Sequence, residues 1–212
     1  MVPPFEVSVF ADPSGAFTTA AGMVAITEKH LKDKFSQNLD KSNVVILGGT
    51  GPVGVASAVI CAKAGANVTL VGRSLEKAEK IAGICNDRYN SKNVKGGADA
   101  DKSDFFNAAD IVLNTGAAGI QLMSEEHIKN SNTLKICADT NAVPPSGIAG
   151  VDVMDNGKVI DMSPSKCLGI GALAIGNIKY KSQHECLKLM YTSEKPVYLD
   201  FEDAFKFAQK SV

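Results

Sequence analysis

The segment that most limits what this chain can fold into is Val44 to Gly54, an apolar run that ends in Gly48-Gly49-Thr50-Gly51-Pro52-Val53-Gly54. Val44 to Leu47 has no polar alternation, which suits a strand covered on both faces, as in a parallel sheet. Pro52 then opens a helical pattern lasting to Ala64. Proline is at home in a first helical turn, where its missing N–H would have no partner anyway. A second apolar run, Val68 to Val71, begins fourteen residues after Gly54. Strand, glycine turn, helix and strand in that order make a βαβ unit, and such units build parallel sheets.

The alternation continues along the chain. Leu75 to Tyr89 reads as a charged amphipathic helix, Ile111 to Leu113 and Leu134 to Ala138 as strands, and Glu125 to Lys129 as a helix between them. Val159 to Met162 reads as an edge strand, and helices over Ile175–Met190 and Phe201–Lys210 close the chain. Ahead of the βαβ unit, Phe5 to Phe10 alternates apolar and polar residues as a short strand does. Asp12-Pro13-Ser14-Gly15 is a turn by composition, Thr18 and Thr19 open a helix reaching Phe35, and Ser36 to Ser42 is a polar linker. The fold class expected is α/β, a Rossmann-type doubly wound parallel sheet with helices on both faces.

Composition narrows the function. A chain of 212 residues with 45% hydrophobic residues can bury a sizeable core. Its net charge of -1 offers no general attraction to nucleic acid or an anionic membrane, so any phosphate recognition is local. Five cysteines without a CxxC pair, and three histidines, give no metal-ligand spacing; free thiols in a reducing cytoplasm are expected. The sequence contains neither a basic-then-apolar leader nor an apolar run of about 18 residues.

The glycine turn stands where a dinucleotide fingerprint belongs, after a buried strand and at the start of a helix. In this reading Gly49 allows the tight turn, Gly51 lets backbone approach a pyrophosphate, and Gly54 lets helix and strand pack closely. Thr50, Pro52 and Val53 complete the cradle, and the helix N-terminus behind them offers unpaired N–H groups to phosphate. The end of the second strand selects the nucleotide. An acid there would hold the ribose 2′-OH of NAD, but Val71 is followed by Gly72-Arg73-Ser74, with Lys77 one turn on. Arg73 can fork onto a 2′-phosphate, with Ser74 and Lys77 as further donors, so NADP is the expected cofactor. Glu76 leaves NAD use open.

Further along, Asn114-Thr115-Gly116-Ala117-Ala118-Gly119 and Asp139-Thr140-Asn141-Ala142-Val143-Pro144-Pro145 each follow a strand. They therefore fall on the carboxyl edge of a doubly wound sheet, where ligands bind. Small residues Thr115, Gly116 and Ala117 would let a nicotinamide ribose lie against backbone, and Asp139 and Asn141 either orient a ligand or satisfy their own turn. Lys179 and Lys181 either hold an anionic or carbonyl-bearing ring or line a wet helix face. No Ser/His/Asp set, Cys/His pair or paired carboxylate stands out, which argues against hydrolase chemistry.

Five ordered motifs resemble the NAD(P)-dependent methylene-tetrahydromethanopterin dehydrogenases. Asp12 to Gly22 is similar to the family's D-x-N-G-x-N-T-T-A-A segment, and Gly49 to Gly54 to its G-T-G-P-V-G turn. Gly72-Arg73 with Lys77 resembles its G-R-x-x-x-K, Ala138 to Gly147 its A-D-x-N-A-x-P-P-x-G, and Gly171 to Lys181 its G-A-L-x-I-G-x-x-K-x-K. The resemblance implies hydride transfer from the methylene carbon of a reduced pterin (tetrahydromethanopterin or tetrahydrofolate) to NADP. It implies Lys179 as a pterin-side residue and Asp139 and Asn141 as crevice residues, with Lys179 and Asp139 as the catalytic pair.

The sequence departs from that family in two ways. Members carry about a hundred further residues before the segment resembling Phe5 to Gly22. Residues 1–36 are therefore read as the remnant strand and connecting helix of a first α/β domain, 37–198 as the dinucleotide-binding domain, and 199–212 as a C-terminal helix. One wall of the substrate site is then expected to come from a partner, to be missing in a truncated gene product, or to differ with a changed substrate, and exposed apolar faces favour a homo-oligomer. In addition, Ser14 and Phe17 stand where the family has Asn. Two other readings stay open: an NADP-binding subunit or sensor inactive alone, and an NADP-dependent dehydrogenase of a shikimate-like hydroxy acid.

Overall fold

The computed structural model describes residues 3–212. After β1 (Val9–Phe10) and a short 3₁₀ turn over Pro13–Gly15, helix α1 (Ala16–Phe35) leads into β2 (Asn43–Leu47), α2 (Pro52–Lys63), β3 (Asn67–Gly72), α3 (Leu75–Tyr89) and β4 (Val94–Ala98). A second half follows, α4 (Lys102–Asn107), β5 (Ile111–Asn114), α5 (Glu125–Asn130), β6 (Ile136–Asp139), β7 (Asn156–Val159) and β8 (Leu168–Ile170). Helix α6 (Ala172–Thr192), β9 (Tyr198–Leu199) and α7 (Phe201–Ser211) complete it.

The main sheet has the order β4-β3-β2-β5-β6-β8-β7, parallel throughout except for β7. The chain works outward from β2 to β4, then returns to the other side of β2 with β5. That reversal leaves a crevice beyond the carboxyl ends of β2 and β5, the switch point of a doubly wound sheet.

The apolar runs read from the sequence are explained by the two layers. Val44, Ile46, Val68, Leu70, Ile111 and Leu113 pack into a core with α1, α2, α3, α6 and α7. Their neighbours Val45, Leu47, Val71 and Val112 point to the opposite face, into a second core with Phe106 of α4 and Ile128 of α5. Successive strand residues face opposite sides, so a strand buried on both must be apolar throughout. All five cysteines are buried free thiols, and desolvation pushes Cys61 up to about 12.

Several expectations need correction. The strand expected over Phe5–Phe10 shrinks to Val9–Phe10, which pairs parallel with β9; Phe5 and Val7 stay exposed. The edge strand expected at Val159–Met162 is β7, three residues earlier and antiparallel to β8. The sequence reading missed β8, α4 and β4. Strand β4 carries Gly96 and Gly97, poor strand formers. Both are needed because the α3 backbone at Glu79 lies on Gly96, and the Phe105 ring lies 2.6 Å from where a β-carbon on Gly97 would sit. Among the described residues, no helix is long and apolar enough to cross a membrane.

Helix α1 joins the core through α2, α6 and α7. It comes close to α6 at Gly22, where a β-carbon would lie 2.9 Å from Lys179 N and 3.0 Å from the Ile175 carbonyl. Both contacts are backbone and cannot swing aside. Gly22→Val should therefore lower the free energy of unfolding by about 1–3 kcal/mol through overpacking, as measured by urea denaturation.

Candidate active site

Four loops meet at the carboxyl edge of the sheet. The first follows β2, and its tight turn falls one residue earlier than expected. Gly48, not Gly49, is left-handed, with φ 66, and a β-carbon on it would lie 2.7 Å from Gly116 Cα and N. Gly49 instead serves close approach to β3: its N–H donates to the Val71 carbonyl at 2.9 Å, and a β-carbon would meet Leu70 Cα at 3.0 Å. Gly54 packs α2 on the turn, its would-be β-carbon 2.6 Å from Gly49 Cα. The signal for Gly48 was a glycine just ahead of the fingerprint.

Gly51 faces open space. A β-carbon there would meet nothing nearer than the Gly48 carbonyl at 3.4 Å, and no side chain caps the α2 N-terminus that Gly51 begins. Thr50 lies over the next loop, its Cγ2 2.9 Å from a would-be β-carbon of Gly72. Room in front of Gly51 and uncapped N–H groups behind it fit a pyrophosphate.

After β3, Arg73, Ser74 and Lys77 are all exposed, and among the described residues neither Arg73 nor Lys77 has a salt bridge. Ser74 caps α3, its hydroxyl accepting from Lys77 N at 3.3 Å, which leaves the hydroxyl proton free to donate. Two cations held at a helix N-terminus oppose the helix dipole, an arrangement that an anion between them relieves.

The other two loops are tied by buried amides and a carboxylate. Asp139 is 1% exposed, and its Oδ1 accepts from Asn114 Nδ2 at 2.7 Å and Asn141 N at 2.9 Å. Its Oδ2 accepts from Gly147 N at 2.7 Å and Ile148 N at 3.1 Å. Asn141 is equally committed, taking Gly119 N at 3.2 Å and Val143 N at 2.9 Å while donating to the Pro145 carbonyl at 2.7 Å. Asn114 passes the tie onward by accepting from Gly116 N at 3.0 Å. The Thr115 hydroxyl donates to the Leu47 carbonyl at 2.8 Å, which joins this loop to β2.

Asp139 and Asn141 thus lie on the expected edge but point into it. Asp139, expected as a catalytic group, accepts four hydrogen bonds from the two loops and so ties their shape together. Asn114, buried at the end of β5, was passed over as part of a small-residue turn; a polar residue closing an apolar strand was the signal. Gly116 backs onto Gly48 and Leu122, and Ala117 is exposed.

Lys179 enters from elsewhere. Helix α1 runs from the carboxyl to the amino edge of the sheet, since its end feeds β2. Helix α6 is antiparallel to it, because Gly22 lies against Ile175 and Lys179 while Asp12 meets Gln183. Leaving β8 at the carboxyl edge, α6 therefore climbs away from the sheet, carrying Lys179 about 10 Å above its start. The half-buried ammonium reaches toward Gly15, and among the described residues it has no hydrogen-bond or ion-pair partner. Lys181 is spent on the Ser211 carbonyl at 3.3 Å. A broad cleft at the amino edge, between Lys32, Asp40, Asp110 and Lys135, contains none of the motif residues.

No family model matches the chain. Curated relatives do. It is 41% identical over 210 residues to an NAD(P)-dependent methylenetetrahydromethanopterin dehydrogenase of Methylorubrum extorquens, covering 98% of this chain and 70% of that protein. It is 35% identical over 209 residues to bifunctional protein MdtA of the same organism, covering 98% and 69%. Among solved structures, quinate dehydrogenase from Corynebacterium glutamicum aligns over 100% of this chain and 76% of its own with a TM-score of 0.58 at 14% identity. Shikimate 5-dehydrogenase from Listeria monocytogenes aligns over 97% and 75% with a TM-score of 0.56 at 13% identity. These two likenesses are of fold.

The role of Asp139 yields a measurable expectation. Asp139→Ala leaves three buried backbone N–H groups and the Asn114 amide without their acceptor, and should cost about 3 kcal/mol or more of stability by chemical denaturation. An exposed ligand-contacting carboxylate would change stability by less than about 0.5 kcal/mol.

Proposed function

The chain belongs to the NAD(P)-dependent methylenetetrahydromethanopterin dehydrogenase family, and we propose that it transfers a hydride between the methylene carbon of a reduced pterin and NADP. The observation that carries this reading is the chemical make-up of the crevice. It offers a glycine turn, a loop of small residues and, from above, the Lys179 ammonium, while its Asp139 carboxylate is turned inward. Such a site has little capacity for proton transfer and suits a reaction between two carbons that chiefly need alignment.

In this reading Gly49, Thr50, Gly51, Pro52, Val53 and Gly54 hold the pyrophosphate at the α2 N-terminus, and Arg73, Ser74 and Lys77 hold the 2′-phosphate. Thr115, Gly116 and Ala117 flank the nicotinamide ribose. Asn141 fixes the shape of that wall through Gly119, and Asp139 fixes it through Asn114. Lys179 faces the pterin from above the carboxyl edge. When bound, NADP supplies the hydride-accepting carbon, and the pterin nitrogens stabilise the cation left behind.

NADP and NAD reduction by the purified protein, with methylene-tetrahydromethanopterin as donor, tests this directly. Turnover with NADP is expected, and Arg73→Ala should raise the KM for NADP about 10- to 100-fold while that for NAD changes little, the loss of a charge-assisted contact. A KM for NADP that the substitution leaves unchanged overturns the role of Arg73. Tight NADPH binding without turnover would favour a cofactor-binding subunit instead.

A further inference from the structure

Among the described residues Lys179 has no polar partner, yet a turn that capping alone does not require lies against it. Ser14 and Gly15 are consecutive left-handed residues, with φ 53 and 71. That conformation is costly for serine and persists only where surrounding contacts enforce it. Here they do. Asp12 accepts from Phe17 N at 2.9 Å, Thr18 N at 3.1 Å and the Thr18 hydroxyl at 2.7 Å. The Gly15 carbonyl accepts the Thr19 hydroxyl at 2.6 Å.

Capping a helix start needs only one side-chain oxygen on a first-turn N–H. What the second left-handed residue adds is space. A β-carbon on Gly15 would stand 2.7 Å from Lys179 Nζ and 3.2 Å from its Cε. One turn along α6, Gln183 Nε2 reaches Asp12 Oδ2 at 3.4 Å, so the turn and the helix bearing Lys179 are joined.

We propose that Gly15 is a positioning residue for Lys179: its missing side chain forms the seat that aims the ammonium at the crevice, with Asp12 and Gln183 holding seat and helix in register. The proposal rests on the reading of Lys179 as the substrate-side group. Because the contact is with the end of a flexible side chain, a methyl on Gly15 displaces the ammonium and leaves the helix crossing intact. A displacement of about 1 Å at a reacting centre can cost up to about 100-fold in rate.

The test is a double-mutant cycle on the whole chain. Gly15→Ala should lower kcat at least tenfold with the KM for NADP unchanged, and should change nothing further in a Lys179→Met background. An equal loss in both backgrounds, or no loss in either, overturns the proposal. If Gly15→Ala does not fold, Gly15→Asn replaces it, since asparagine tolerates left-handed backbone while still placing a β-carbon in the seat.

A readout independent of turnover separates this proposal from the reading beneath it. After reductive ¹³C-methylation of lysines, the Lys179 signal is identified by its absence in Lys179→Arg. A shift of that signal in the Gly15 variant supports the seat even if the pterin is not turned over, whereas an unmoved signal overturns it.

Discussion

Asp139 closes β6 with a carboxylate that solvent does not reach, and the shape of half the crevice hangs from it. Its four donors come from the end of β5, from the residue two places on, and from a loop that has travelled eight residues to return. A buried carboxylate left without donors would be intolerable, so the loops have little freedom to drift. Gly147 sits so close that a β-carbon would collide with Asn114 Nδ2. The wall on which a nicotinamide would rest is therefore a charge-satisfied network, and the small residues on its surface are free to be small.

The parallel sheet was legible because burial on both faces forces uniform apolarity, and Val44–Leu47, Val68–Val71 and Ile111–Leu113 could hardly be anything else. Strands β4 and β8 each carry glycine where a strand pattern would be read. At Gly96 and Gly97 a neighbouring element presses on the strand, so that a tertiary contact selects glycine where local preference would select a β-branched residue. Strand β8 is three residues long with Gly169 at its centre, and α4 spans six residues, too few for a helical period to show.

The site was legible in part for a related reason. Gly51, Gly54, Arg73 and Lys77 lie where their sequence context puts them, in the loops and helix starts that follow strands. Asp139 and Asn141 sit in equally suggestive context, yet their partners include backbone N–H groups and a side-chain amide up to 25 residues away, which spacing does not reveal. Gly48 and Gly15 illustrate the same limit, since each faces an atom from a distant part of the chain: Gly116 for one, Lys179 for the other.

The glycine crossing of α1 and α6 has a mechanical consequence. Gly22 sets the backbone of α1 against the backbone of α6 at Lys179, and one turn further on the Asp12–Gln183 hydrogen bond joins α6 to the turn ahead of α1. The main chain that carries Lys179 is therefore held at two places, and positional freedom at that residue is left to its side chain.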